Sequence, residues 1–77
     1  MAFPLLLLPL DSMMMKNNIK KMRLEKNVTQ EDLAQAVQVS RQTIIAIEKG
    51  NYTPSLFLAM QLASFFKVSV EKLFYLG

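Results

Sequence analysis

Residues 29–50, TQEDLAQAVQVSRQTIIAIEKG, hold two helix starts and a helix stop in close succession. Thr29 stands ahead of the first run with Asp32 three positions on, a near capping box in which each residue can satisfy the other's backbone N–H. The pattern predicts a helix from about Gln30 to Val37 with Leu33, Ala34 and Val37 as its inner stripe. A short break at Gln38 and Val39 leads to Ser40, a second N-cap, and to a helix that runs to about Lys49 before Gly50 ends it.

Apolar or small residues at Leu33, Ala34, Val37, Val39, Ile44 and Ile47 suit two short helices packed at a steep angle. The small side chain of Ala34 lets the second helix approach at the crossing, near Ile44. With that seam buried, Arg41, Gln42, Thr43, Ile45 and Ala46 are expected to face outward. A helix held across its neighbour with a polar first turn projecting has the shape that fits a DNA major groove about 12 Å wide. Arg41 suits guanine O6 and N7, Gln42 suits adenine N6 and N7, the methyl groups of Thr43 or Ile45 suit thymine, and Ala46 belongs to the same base-reading set.

Composition narrows the chemistry. A chain of 77 residues, 52% of them hydrophobic, has material for one small domain with a thin core, so self-association is plausible. It has no Cys and no His. Disulfides, thiolate chemistry, cysteine zinc sites and the commonest general base are thereby excluded. Catalysis, a metal and a cofactor are not expected, and the absence of Cys fits a cytoplasmic location. Nine Lys plus Arg against six Asp plus Glu leave a charge of +3, which mildly favours a polyanion.

The remainder of the chain is helical by periodicity. A first helix spans roughly residues 17–26, with Ile19, Met22, Arg23 and Lys26 on one face and Asn27 as its stop. Beyond Gly50, Thr53 and Pro54 suit the cap and first position of a fourth helix that reaches about Phe66. Its inner stripe is expected at Leu56, Ala59, Leu62, Ala63 and Phe66. Ser69 caps a last short helix to Leu73 or Phe74. MMKNN (14–18) and FYL (74–76) can each supply a few extended residues, a small β extension from the two ends of the domain.

Residues 1–14 stand apart from this domain at 15–77. MAFPLLLLPLDS lacks the basic start of a signal peptide and the length of a membrane span, which needs about 20 apolar residues. A leader ahead of the domain, or an arm in which Leu5–Leu8 pack on an apolar patch, both fit. No membrane partner is expected.

Residues 16–74 resemble the Cro/CI-type (lambda repressor-like, xenobiotic-response-element) helix-turn-helix family, on the strength of residues 29–50 together with TPSL at 53–56. The resemblance implies an all-α, five-helix DNA-binding domain with the helix-turn-helix at its second and third helices. Where Gln38 stands the family usually has Gly, because the turn takes positive φ there. The resemblance also implies an ion pair of Arg23 with Glu48 that holds the recognition helix, and phosphate contacts from Gln30, Ser40, Lys49, Asn51 and Tyr52. Lys20, Lys21, Lys26, Lys67 and Lys72 are assigned to the solvated surface.

The fourth helix carries more apolar residues than one stripe can use. Phe57, Leu58, Met60 and Phe65 are left over, and Leu73, Phe74, Tyr75 and Leu76 add to them. A two-fold homodimer through the fourth and fifth helices follows, with Phe57, Leu58, Phe65, Leu73, Phe74 and Leu76 at its interface. Two recognition helices about 34 Å apart would then meet a pseudo-palindromic operator. The expected function is sequence-specific binding of double-stranded DNA by a homodimeric transcriptional regulator, in its simplest form a repressor without a small-molecule effector. The alternative is an antitoxin or another protein-binding module of a toxin-antitoxin or phage-type system.

Overall fold

The computed structural model describes residues 15–77. The elements run β1 (Met15–Asn17), α1 (Ile19–Glu25), α2 (Gln30–Ala36), α3 (Arg41–Glu48), α4 (Leu56–Phe66), α5 (Val70–Leu73) and β2 (Phe74–Leu76). The leader or arm assigned to residues 1–14 lies outside the described residues.

Single residues set where the helices begin. The Thr29 hydroxyl accepts from Asp32 N at 2.9 Å while the Asp32 carboxylate accepts from Thr29 N at 3.2 Å, a closed capping box. Ser40, Ser55 and Ser69 each take one N–H of the following first turn, so α3, α4 and α5 start alike. Thr53 and Pro54 are therefore not the cap and first position of α4. The Ser55 hydroxyl accepts from Leu58 N at 3.1 Å, and Pro54, with no N–H of its own, lies just outside the helix.

The ends of α1 to α4 share one device. Each last turn closes with a left-handed residue, and the next amide reaches back five residues, as in the Schellman motif. The bonds are Val28 N to Arg23 O, Val39 N to Ala34 O, Asn51 N to Ala46 O and Val68 N to Ala63 O, at 2.9 to 3.0 Å. Gly50, at φ +79°, adopts that conformation at no steric penalty. Asn27, Gln38 and Lys67 adopt it at φ of 56°, 60° and 57° with a Cβ in place. Val28, Val39 and Val68 follow them directly, and each packs against the core.

Each of the five helices gives the core at least one fully buried side chain. Ile19, Leu33, Ile44, Ile47, Leu62 and Leu73 are sealed from solvent, and Ala34 is buried in the same cluster. Burial of each large aliphatic side chain contributes about 1.5–3 kcal/mol.

On α4 the buried stripe is Leu58, Ala59, Leu62, Ala63 and Phe66, whereas Leu56 is 71% exposed. Leu56 and Leu58 thus exchange their expected places. At about 100° per residue, Leu58 lies on the arc that Leu62 and Phe66 occupy, and Leu56 starts the opposite side with Met60.

The two ends of the domain pair as an antiparallel two-stranded sheet, with Met15 opposite Leu76, Lys16 opposite Tyr75 and Asn17 opposite Phe74. The Asn18 amide extends the contact by donating to Leu73 O at 2.9 Å.

Candidate nucleic-acid interface

α3 is fastened from two sides. Ile44 and Ile47 bury its inner face. At its far end the Glu48 carboxylate receives Arg23 Nε at 2.7 Å, Arg23 Nη2 at 3.3 Å and Gln30 Nε2 at 3.1 Å. Arg23 Nη1 also donates to Val28 O at 3.0 Å, which ties the α1–α2 loop to the same group. The Arg23 and Glu48 side chains keep only 9% and 5% of their surface. Their fork-to-carboxylate geometry and added amide donor meet the condition under which a buried ion pair is sustained. One acid on α3 thereby gathers groups from α1, from the loop behind it and from α2.

Fastening those residues leaves the opposite side of α3 outward. Arg41 and Gln42 are exposed in the first turn, and Thr43, Ile45 and Ala46 are half-buried. The expected outward set is therefore not uniform. A helix turning about 100° per residue puts Gln42, Ile45, Ala46 and Lys49 on one ridge, while Thr43 leans toward the buried side. Thr43 also hydrogen-bonds within the cap, its hydroxyl 3.0 Å from that of Ser40.

The groups assigned to phosphate surround this ridge unevenly. Lys49, Asn51 and Tyr52 are exposed just past the end of α3, and Ser40 is exposed at its start. Ser40 Oγ accepts from Thr43 N at 3.2 Å, so its oxygen serves the cap. Gln30 is half-buried with its amide on Glu48, a contact that its position at the start of α2 gave no sign of. Gln30 and Arg41 nonetheless line one open groove of about 790 Å³, with Thr29, Asn27 and Lys20. Lys20, assigned to the solvated surface, lines the same groove, as does the acid Glu31.

The apolar surface is displaced from where the sequence put it. Leu58, Leu73 and Phe74 are buried in the protein's own core and are unavailable to a partner. α4 needs Leu58 for its inner stripe, and Leu73 at the end of α5 and Phe74 at the start of β2 join the same core. Phe57, at 71% exposure, and Leu76 remain exposed, Phe65 is half-buried, and Leu56 and Met60 join them. Ala36, Val37, Phe57, Met60 and Phe65 border a shallow apolar cleft between the end of α2 and α4. Among the described residues no group of acidic side chains is arranged to hold a metal, and no helix is long and apolar enough to cross a membrane.

Two capped helices joined through a left-handed residue, the second pinned across the first with its leading turn free, define a helix-turn-helix protein. The chain belongs to the helix-turn-helix family HTH_3, whose model matches residues 19–73, and the Cro/CI-type resemblance of its sequence holds at that level. It is 60% identical over 60 residues to an uncharacterized HTH-type transcriptional regulator, MJ0272, of Methanocaldococcus jannaschii, covering 78% of this chain and 91% of that protein. It is 45% identical over 62 residues to YgzD, an uncharacterized HTH-type transcriptional regulator of Bacillus subtilis, covering 80% and 94%. Its fold is similar to that of a putative DNA-binding protein from Bacteroides fragilis, with a TM-score of 0.71, 31% identity, and 79% and 98% of the two chains covered.

Proposed function

We propose that the protein is a sequence-specific regulator of transcription that binds double-stranded DNA as a homodimer, with α3 in the major groove. One observation carries this: Glu48, Ile44 and Ile47 are anchored inward, and the outward side of the same helix presents Arg41 and Gln42 to solvent. A rigid platform favours discrimination between bases, because no backbone ordering is added to the rotamer entropy that the two side chains lose when they dock. Arg41 donates two hydrogen bonds to guanine, Gln42 pairs with adenine N6 and N7, and Ile45 and Ala46 meet thymine methyl groups. Lys49, Asn51, Tyr52 and Ser40 hold the phosphates beside them, and Gln30 reaches a phosphate with the amide hydrogen that Glu48 does not use.

The homodimer rests on Leu56, Phe57, Met60 and Leu76, large apolar side chains facing water on a small domain. Two copies meeting there set two recognition helices about one helical turn apart and call for a pseudo-palindromic operator. A cytoplasmic repressor that excludes polymerase from its site is the simplest regulator of this kind.

Selection of bound duplexes from a randomised pool, with the purified full chain, tests the proposal. The expected result is a two-fold related consensus whose half-sites contain a guanine and an adenine at the positions that Arg41 and Gln42 reach. Enrichment of no sequence over the starting pool would end it.

A further inference from the structure

Asn17 makes contacts that neither the helix-turn-helix pattern nor the ion pair explains. Its side-chain Nδ2 donates to Ile47 O at 2.8 Å, in the last turn of α3, thirty positions away in sequence. Its Oδ1 accepts from Ile19 N at 3.1 Å, the first free amide of α1, which the side chain of the nominal cap Asn18 does not cap. A carbonyl can only accept and an amide N–H can only donate, so these two partners fix which way the carboxamide faces. Asn17 is also the strand residue paired with Phe74 in the sheet. The acceptor it holds is central to the end of α3, because Ile47 O also receives Gly50 N at 2.9 Å and Ile47 is buried.

We propose that Asn17 is a positioning residue for the recognition helix. Its carboxamide locks the C-terminal end of α3 to the β1–β2 sheet and to the start of α1, and so sets the angle at which Arg41 and Gln42 are offered. The Arg23–Glu48 pair fastens α3 toward α1 and α2. Asn17 adds the hold toward the strand pair, whose second strand carries the exposed Leu76. The inference rests on the DNA-binding dimer proposed above: in that dimer Asn17 passes the geometry of the partner-facing side to the base-reading side, and with it the half-site spacing.

Asn17→Asp separates the two contacts. A carboxylate still accepts from Ile19 N but cannot donate to Ile47 O, whereas Asn17→Ala loses both. Asn18→Ala is the matched control, since Asn18 Nδ2 reaches only Lys72 O, at 3.0 Å. Two measurements on the full chain follow. In amide hydrogen exchange, Asn17→Asp is expected to speed exchange at Gly50 and Asn51 by about tenfold relative to Val37 in α2, with Asn18→Ala unchanged there. In duplex binding, with the sequence selected by the unaltered protein, Asn17→Asp is expected to lower the ratio of specific to random affinity by about tenfold and to flatten the preference for half-site spacing when one base pair is added or removed.

Unchanged protection at Gly50 overturns the mechanical link, whether or not the protein selects any sequence. Loosened Gly50 with an unchanged specificity ratio overturns the positioning role, and so does an equal loss on specific and random duplexes, which marks a phosphate contact or general destabilisation. If the unaltered protein selects no sequence, the functional proposal falls and the positioning role falls with it, while the exchange data still decide the link.

Discussion

α3 and α4 begin the same way, with a serine hydroxyl over the first turn, yet they spend their outer faces differently. α3 buries Ile44 and Ile47 and turns Arg41 and Gln42 to water, with an acid at its end bonded to Arg23 of α1 and Gln30 of α2. α4 buries five residues and still leaves Leu56, Phe57 and Met60 exposed. The contrast separates two kinds of exposed surface. Polar donors on a braced helix suit hydrogen bonding in fixed directions, whereas exposed aromatic and aliphatic side chains suit any surface that excludes water.

The contrast can be broken hardest at the brace. Glu48→Ala leaves the Arg23 guanidinium buried without its acid and is expected to lower stability by about 3–5 kcal/mol, read from the urea midpoint. A change under about 1 kcal/mol in that experiment would make the pair dispensable. Next in size is the apolar face of α4. Phe57→Glu is expected to weaken self-association by about 2 kcal/mol or more while melting as the parent does at concentrations where both are monomeric, with sedimentation equilibrium as the readout. Arg41→Ala is expected to remove about 1–3 kcal/mol of discrimination between the selected site and random duplex without altering stability. Lys49→Ala in the same titration sharpens the distinction by weakening all sequences alike and reducing the salt slope by about one. The smallest expected effect has the opposite sign: Gln38→Gly relieves a left-handed residue in the turn between the two helices and is expected to raise stability by roughly 1 kcal/mol.

Much of α3 was legible in the sequence because its determinants are local or paired with a fixed period. Thr29 with Asp32, Ser40, Gly50 and the spacing of Ile44 and Ile47 each carry their meaning within one or two turns. Arg23 and Glu48 were legible only through family resemblance combined with their neighbours on the inner faces, since nothing local distinguishes them from solvated charges. The phase of α4 was not legible. In an almost wholly apolar helix, Leu56 and Leu58 fit an inner stripe equally well until the rest of the core selects one. Thr53 and Ser55, two positions apart, were likewise equivalent capping residues. Gln30 on Glu48 and Asn17 on Ile47 O depend on tertiary approach alone.

The antiparallel pairing of β1 with β2 brings the outer ends of both strands, Met15 and Leu76, side by side. In a chain that starts at Met15, a short linker joins them, with new termini opened in the exposed segment at Asn51 to Thr53. Such a circular permutant would keep every helix and both strands intact while reversing which half of the domain leaves the ribosome first. Its refolding rate would report whether the recognition half must wait for the sheet to close.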